Sequence, residues 1–214
     1  MRFANYILIV FSILFSGCLS EEEIQARQDN AFDISGNYQT SEDSEVQLNF
    51  NIVNQNVKHD IFITVTRSNP HLEKENEFFS KLAQESGVSL ETLKAEPLPS
   101  TFGGDVGLFD EVISGGDNVS RDFGETSDFM VCSDNPKKID STKVIENAQN
   151  VQLVISYCLT GLVKKENKNL IEEGTLSVGA SYFYDVLEED GETGVDVDPS
   201  GVEDVVLNYK ATKQ

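Results

Sequence analysis

Positive charge is what this chain has least of for its size. Sixteen Lys and Arg stand against 37 Asp and Glu, a formal net charge of −21 over 214 residues. Such a field repels phosphate backbones and anionic headgroups, which argues against nucleic-acid binding. Histidine is scarce too, with only His59 and His71. There is no CxxC, GxSxG, HExxH, P-loop or GxGxxG. The motif-borne forms of thiol, serine, zinc and nucleotide chemistry are therefore missing. Nor is there an apolar run of the roughly 20 residues that a membrane span requires.

What is present begins at the first residue. Arg2 precedes a short apolar core from Tyr6 to Phe15, and Ser16-Gly17-Cys18 follows. A charged start, an apolar core and small residues at the exit are the parts of an export signal. Ser16-Gly17-Cys18 resembles the lipobox of bacterial lipoproteins, with Phe15 where that pattern prefers Leu and Leu14 one place further out. The resemblance implies cleavage before Cys18, fatty acylation (palmitate) of its thiol, and a membrane anchor. Two or more acyl chains make such attachment stable, since each buried CH₂ contributes about 0.8 kcal/mol. On residues alone, an ordinary secretory signal or an uncleaved anchor are the alternatives. Leu19 rather than Asp after the cysteine implies, in a Gram-negative envelope, the outer membrane.

Removal of residues 1–17 takes Arg2 with it and leaves 15 basic against 37 acidic side chains, a formal charge of −22. Residues 18–34, with Glu21-Glu22-Glu23, read as a lipidated N-terminus and flexible tether. Residues 35–214 are long enough for one β-rich domain with a real core. Beyond Cys18, Cys132 and Cys158 remain as an even pair. In an oxidising envelope they read as one disulfide.

Val46, Leu48, Phe50 and Ile52 alternate with polar residues, and Val57 to Thr66 is rich in β-branched residues. Together they predict a hairpin. Asn69-Pro70 predicts a helix start, with Leu72, Phe79, Leu82 and Ala83 on one face and Gly87 as its stop. Ser89 caps a short second helix before Pro97. The helical insertion thus covers about residues 70–95. Phe102 to Gly124, with six glycines, reads as loop or irregular edges with short strands. Phe129 to Cys132 predicts a short strand, and Thr142 to Ala148 one or two helical turns. Val151 to Leu159, Leu176 to Tyr184 and Val205 to Ala211 alternate strongly. The expected fold is mainly β: an antiparallel sandwich or small barrel with an inserted helical hairpin.

Two constellations stand out. Lys81 to Ala95 resembles a helix-turn-helix, but its two lysines are matched by glutamates, so it reads as a structural helical pair. Asp196, Asp198, Ser200 and Gly201 match the first half of a calcium loop, with Asp204 at the ninth position. Leu207 occupies the twelfth, where a bidentate Glu belongs, and the flanks read as strands. Residues 185–205 hold nine acids and no Lys or Arg. They read first as a solvated hairpin loop sharpened by Asp198-Pro199 and Gly201, and second as a calcium site on Asp196, Asp198, Ser200 and Asp204.

The expectation is an envelope lipoprotein with a non-enzymatic binding or structural role, attached to the membrane by its N-terminal lipid and meeting a protein partner there. No catalytic residue is assigned. Two other readings stay open: an envelope hydrolase whose carboxylates converge only in the fold, and a calcium-stabilised adhesion module.

Overall fold

The computed structural model describes residues 33–54, 60–94, 101–105, 126–133, 136–187 and 193–214. Cys18, the leader, most of the tether, His59 and most of the glycine-rich stretch lie outside the described residues. Three strands come first: β1 (Gly36–Thr40), β2 (Leu48–Asn54) and β3 (Asp60–Arg67). Two helices follow, α1 (Glu73–Ser86) and α2 (Leu90–Lys94). Then come β4 (Thr101–Asp105), β5 (Thr126–Ser133), β6 (Lys137–Asp140), β7 (Ala148–Lys164), β8 (Leu170–Leu187), β9 (Thr193–Pro199) and β10 (Val205–Lys213). Among the described residues no helix is long and apolar enough to cross a membrane.

Every strand pairing is antiparallel. The order β1-β2-β3-β4-β5-β7-β8-β10 returns to β1, so the sheet curls into a nearly closed barrel. Among the described residues its shortest register is β4–β5, where Phe102↔Ser133 and Gly103↔Cys132 pair. The long strands change neighbours halfway. β5 holds Cys158–Lys164 of β7 while β6 holds Gln152–Ile155. Likewise β10 holds Leu170–Val178 of β8 while β9 holds Ser181–Leu187. The β7–β8 hairpin therefore carries the barrel at one end and a four-stranded extension at the other.

Period-2 alternation decides which faces turn inward. In β10, Val205, Leu207, Tyr209 and Ala211 are buried and their neighbours exposed. Tyr38 stacks on Phe50 at 5.4 Å, and Phe50 meets Tyr209 edge-on at 5.8 Å. Among the described residues such rings pack against one another inside the barrel. One row across the sheet shows how they fit: Phe129, Gly161, Gly174 and Tyr209 are register partners on β5, β7, β8 and β10. The Phe129 ring lies over Gly161 and the Tyr209 ring over Gly174, where any Cβ would overlap them. The Tyr209 hydroxyl then donates to Thr160 O at 2.6 Å.

Phe78, Phe79 and Leu82 of α1 join the same core as the barrel residues. Gly87 ends the helix in the left-handed region at φ 70°, as its position predicts. Ser89 Oγ accepts the Thr92 N–H at 3.1 Å, the expected cap of α2.

Three expectations need correction. α1 begins at Glu73, not at Asn69-Pro70. The Asn69 carboxamide is already committed, its Oδ1 accepting from Gln47 N and Arg67 Nε, and Glu75 Oε2 takes the Leu72 N–H instead. Thr142 to Ala148 forms no helical turn. Thr142 N and Ser141 Oγ both donate to Ser86 O at the end of α1, and Asn147 adopts φ 62°. Finally, much of the expected acidic loop is strand β9.

Candidate functional site

On the outside of the barrel a cleft of about 410 Å³ opens between the β1–β2 connection, β8 and β10. The β1–β2 turn is tied locally: Ser44 N donates to Ser41 O at 3.1 Å, and Gln47 Nε2 donates to the carbonyls of Ser41 and Ser44. That turn presents Asp43 and Glu45. The facing wall is a β-bulge. Tyr209 pairs with Gly174 and Ala211 with Ile171, so Glu172 and Glu173 together oppose the single residue Lys210. A bulge re-aims side chains, and here it brings two carboxylates to the cleft. The floor is Gly174, Thr175 and Tyr209.

Glu45 anchors the cleft. It accepts from Lys74 Nζ at 2.5 Å and from Asn208 N at 2.7 Å. The Lys74 hydrogen bond first, and the Asn208 N–H next, hold its carboxyl below the usual range. A hydrogen bond from Ser41 does the same for exposed Asp43. Glu172 is paired with Lys164. Both shifted carboxyls are stabilised as anions, which suits attraction of a cationic group. A general acid needs the opposite shift.

A second cluster joins α1 to the extension. Lys143 Nζ lies 2.5 Å from Glu85 Oε1 and 3.9 Å above the Tyr182 ring. Gly201 N donates to the same Glu85 oxygen at 3.0 Å. Burial pushes the Glu85 carboxyl up, but Lys143 and the Gly201 N–H outweigh it and hold it low. Burial, then the Glu85 charge, pushes the Tyr182 hydroxyl up. That hydroxyl is buried and completes no hydrogen bond of ordinary length, although Glu85 is near enough to act on its charge. The cluster is a latch between elements.

The residues singled out in the sequence fall as follows. Cys132 and Cys158 form the expected disulfide, joining directly opposed positions of β5 and β7 with Cα atoms 4.0 Å apart. Asp196 and Asp198 sit two apart on extended β9. Asp196 Oδ1 accepts the Val197 N–H, and Asp198 accepts the Tyr184 hydroxyl at 2.9 Å. Ser200 Oγ donates to Val202 O, while Asp204 lies over Gly179 with burial raising its pKa. Among the described residues no three His, Cys, Asp or Glu side chains converge as a metal site. His71 packs edge-on to Phe79 and lies 3.4 Å from Glu75. The two segments of the helix-turn-helix resemblance are the end of α1 and α2, with Leu82 and Leu93 buried in the core.

The cleft itself was not singled out from sequence. Its one readable trace is a parity break: buried positions of β8 run from Ile171 to Leu176, odd to even, across Glu172-Glu173-Gly174.

No known protein family, curated protein or solved structure matches this chain.

Proposed function

We propose that the chain is an envelope lipoprotein, anchored by fatty chains on Cys18, whose acidic barrel is a binding module rather than a catalyst. The observation that carries this is the acidic cleft on the outer surface. Inside the barrel, Tyr38, Phe50 and Tyr209 pack ring against ring. Recognition then belongs to the outer surface, where Asp43, Glu45, Glu172 and Glu173 line a cleft. The net charge draws cationic partners to that surface over a Debye length of about 8 Å at physiological salt. A hydrolase would want one carboxyl of a pair raised toward neutrality, and the two shifted carboxyls of this cleft, Asp43 and Glu45, are both lowered.

Labelled palmitate tests the anchor. The wild-type chain is expected to take up label and to sediment with membranes, and Cys18→Ser to lose both. An unlabelled, soluble wild-type chain refutes the reading.

A further inference from the structure

β9 is an edge strand, and among the described residues it pairs with β8 alone. Edge strands are ordinarily protected by lysines, prolines or bulges, because their outward N–H and C=O groups template another strand. β9 has no lysine and no register shift against β8; its protections are the charges of Asp196 and Asp198 and the terminal Pro199. The N–H of Ser200 turns inward to Ala180 O. Antiparallel alternation then puts the N–H groups of Thr193, Val195 and Val197 on the open side. Pro199, which has no N–H, falls in that outward phase at the strand's end. The Val197 N–H is held only by the neighbouring Asp196 side chain, at 2.9 Å.

The two faces of this edge differ sharply. Val195 and Val197 are 71% and 46% exposed; Val197 is the register partner of Phe183, whose ring lies 5.8 Å from Lys138 Nζ, and Val195 of Asp185. Asp196 and Asp198 project from the opposite face. In sequence, residues 185–205 carry nine acids, these two included, and no Lys or Arg.

We propose that β9 is a docking edge for an extended segment of a partner protein in which apolar and basic side chains alternate. The segment adds one antiparallel strand. Its apolar side chains extend the Val195–Val197–Phe183 face, and its basic ones face Asp196 and Asp198. Main-chain hydrogen bonds carry such strand addition, and alternate side chains select the partner. A second copy of this chain fits poorly, because two β9 strands would set like charges against each other. The inference deepens the binding-module reading and rests on it.

The test is fluorescence anisotropy on the full-length chain in detergent micelles. The probe is a short labelled peptide of alternating valine and lysine. Its controls are a valine–glutamate peptide and a valine–lysine peptide N-methylated along one edge. Val197→Pro removes an outward N–H without changing charge, and Asp196→Asn with Asp198→Asn removes the complementary charge. The valine–lysine peptide is expected to bind and the valine–glutamate peptide not to. N-methylation and Val197→Pro should each weaken binding by about tenfold or more, with an unchanged circular dichroism spectrum, and the double Asn variant should weaken it too. Those charge-preserving arms separate strand addition from general attraction to an acidic protein. Equal binding after N-methylation or in Val197→Pro overturns the proposal. So does binding of neither peptide, or a Val197→Pro-sensitive dimer in light scattering. The palmitate experiment fails or succeeds independently of all of these.

Discussion

Glu75 has no exposed side-chain surface, yet it is a carboxylate. Its partner Arg67 is only 7% exposed and reaches both of its oxygens, at 2.6 and 2.8 Å. Arg67 spends its remaining donors on Asn69 and Pro70 carbonyls, and Glu75 also takes the Leu72 N–H. The pair thus ties the end of β3 to the first turn of α1. Burial alone would raise the Glu75 pKa, but the Arg67 and Leu72 donors outweigh it and bring it below the ordinary 4.5. A carboxyl lowered in the folded state adds stability that is full above the unfolded value. That stability is lost as pH falls through the folded one. Glu75→Gln leaves Arg67 buried without a counter-charge, so it should cost about 3–5 kcal/mol at pH 7. It should also flatten part of the acid loss below pH 4.5. Urea melts of both proteins from pH 7 to pH 3 check this. Parallel acid limbs would mean that other carboxyls carry the titration.

At the scale of elements, the barrel is braced next to its shortest register. Among the described residues β4 meets β5 over two register pairs, and one of these is Gly103↔Cys132. Cys132 is in turn bonded to Cys158 of β7. The disulfide therefore fastens the strand that has least support on its other side. In the chain-entropy account, its 26-residue separation contributes about 3 kcal/mol. A Cys132→Ser, Cys158→Ser double variant should lose about that much stability. Amide exchange in β5 should quicken more than in β10, which is paired along most of its length. Uniform quickening across both strands would place the brace elsewhere. These elements differed in how far sequence revealed them. β2, β10 and the Leu176–Tyr184 stretch of β8 alternate cleanly, because one face of each lies against the core. β9 alternates too, Val against Asp, but both its valines and its aspartates are exposed. Its acids, Pro199 and Gly201 therefore read as a turn. The start of α1 was hidden by Asn69, whose capping oxygen serves Gln47 and Arg67 in space. The Glu172–Glu173 wall depends on register against Lys210, which no local pattern specifies.

For the whole molecule, charge acts in two directions. The formal −21 leaves most carboxylates without a cation of their own. Surface pairs such as Lys74–Glu45 and Lys81–Glu77 oppose this repulsion locally, but solvent and salt screen them and each contributes little. Self-repulsion is the larger effect, and it reaches further as salt is removed. The Debye length shortens from about 30 Å at 0.01 M to about 8 Å at 0.15 M. Screening should therefore stabilise the folded chain by more than it weakens the ion pairs. Melting temperature is expected to rise by a few degrees over that range of sodium chloride. Calcium chloride should add no more than magnesium chloride at equal ionic strength, because Asp196 and Asp198 lie on an extended strand and bond to Val197 N and Tyr184 OH. A melting temperature that falls with sodium chloride would give the ion pairs the larger share. A rise specific to calcium would mean that the acids around β9 close on the cation, and the same acids would then be unavailable to a basic strand.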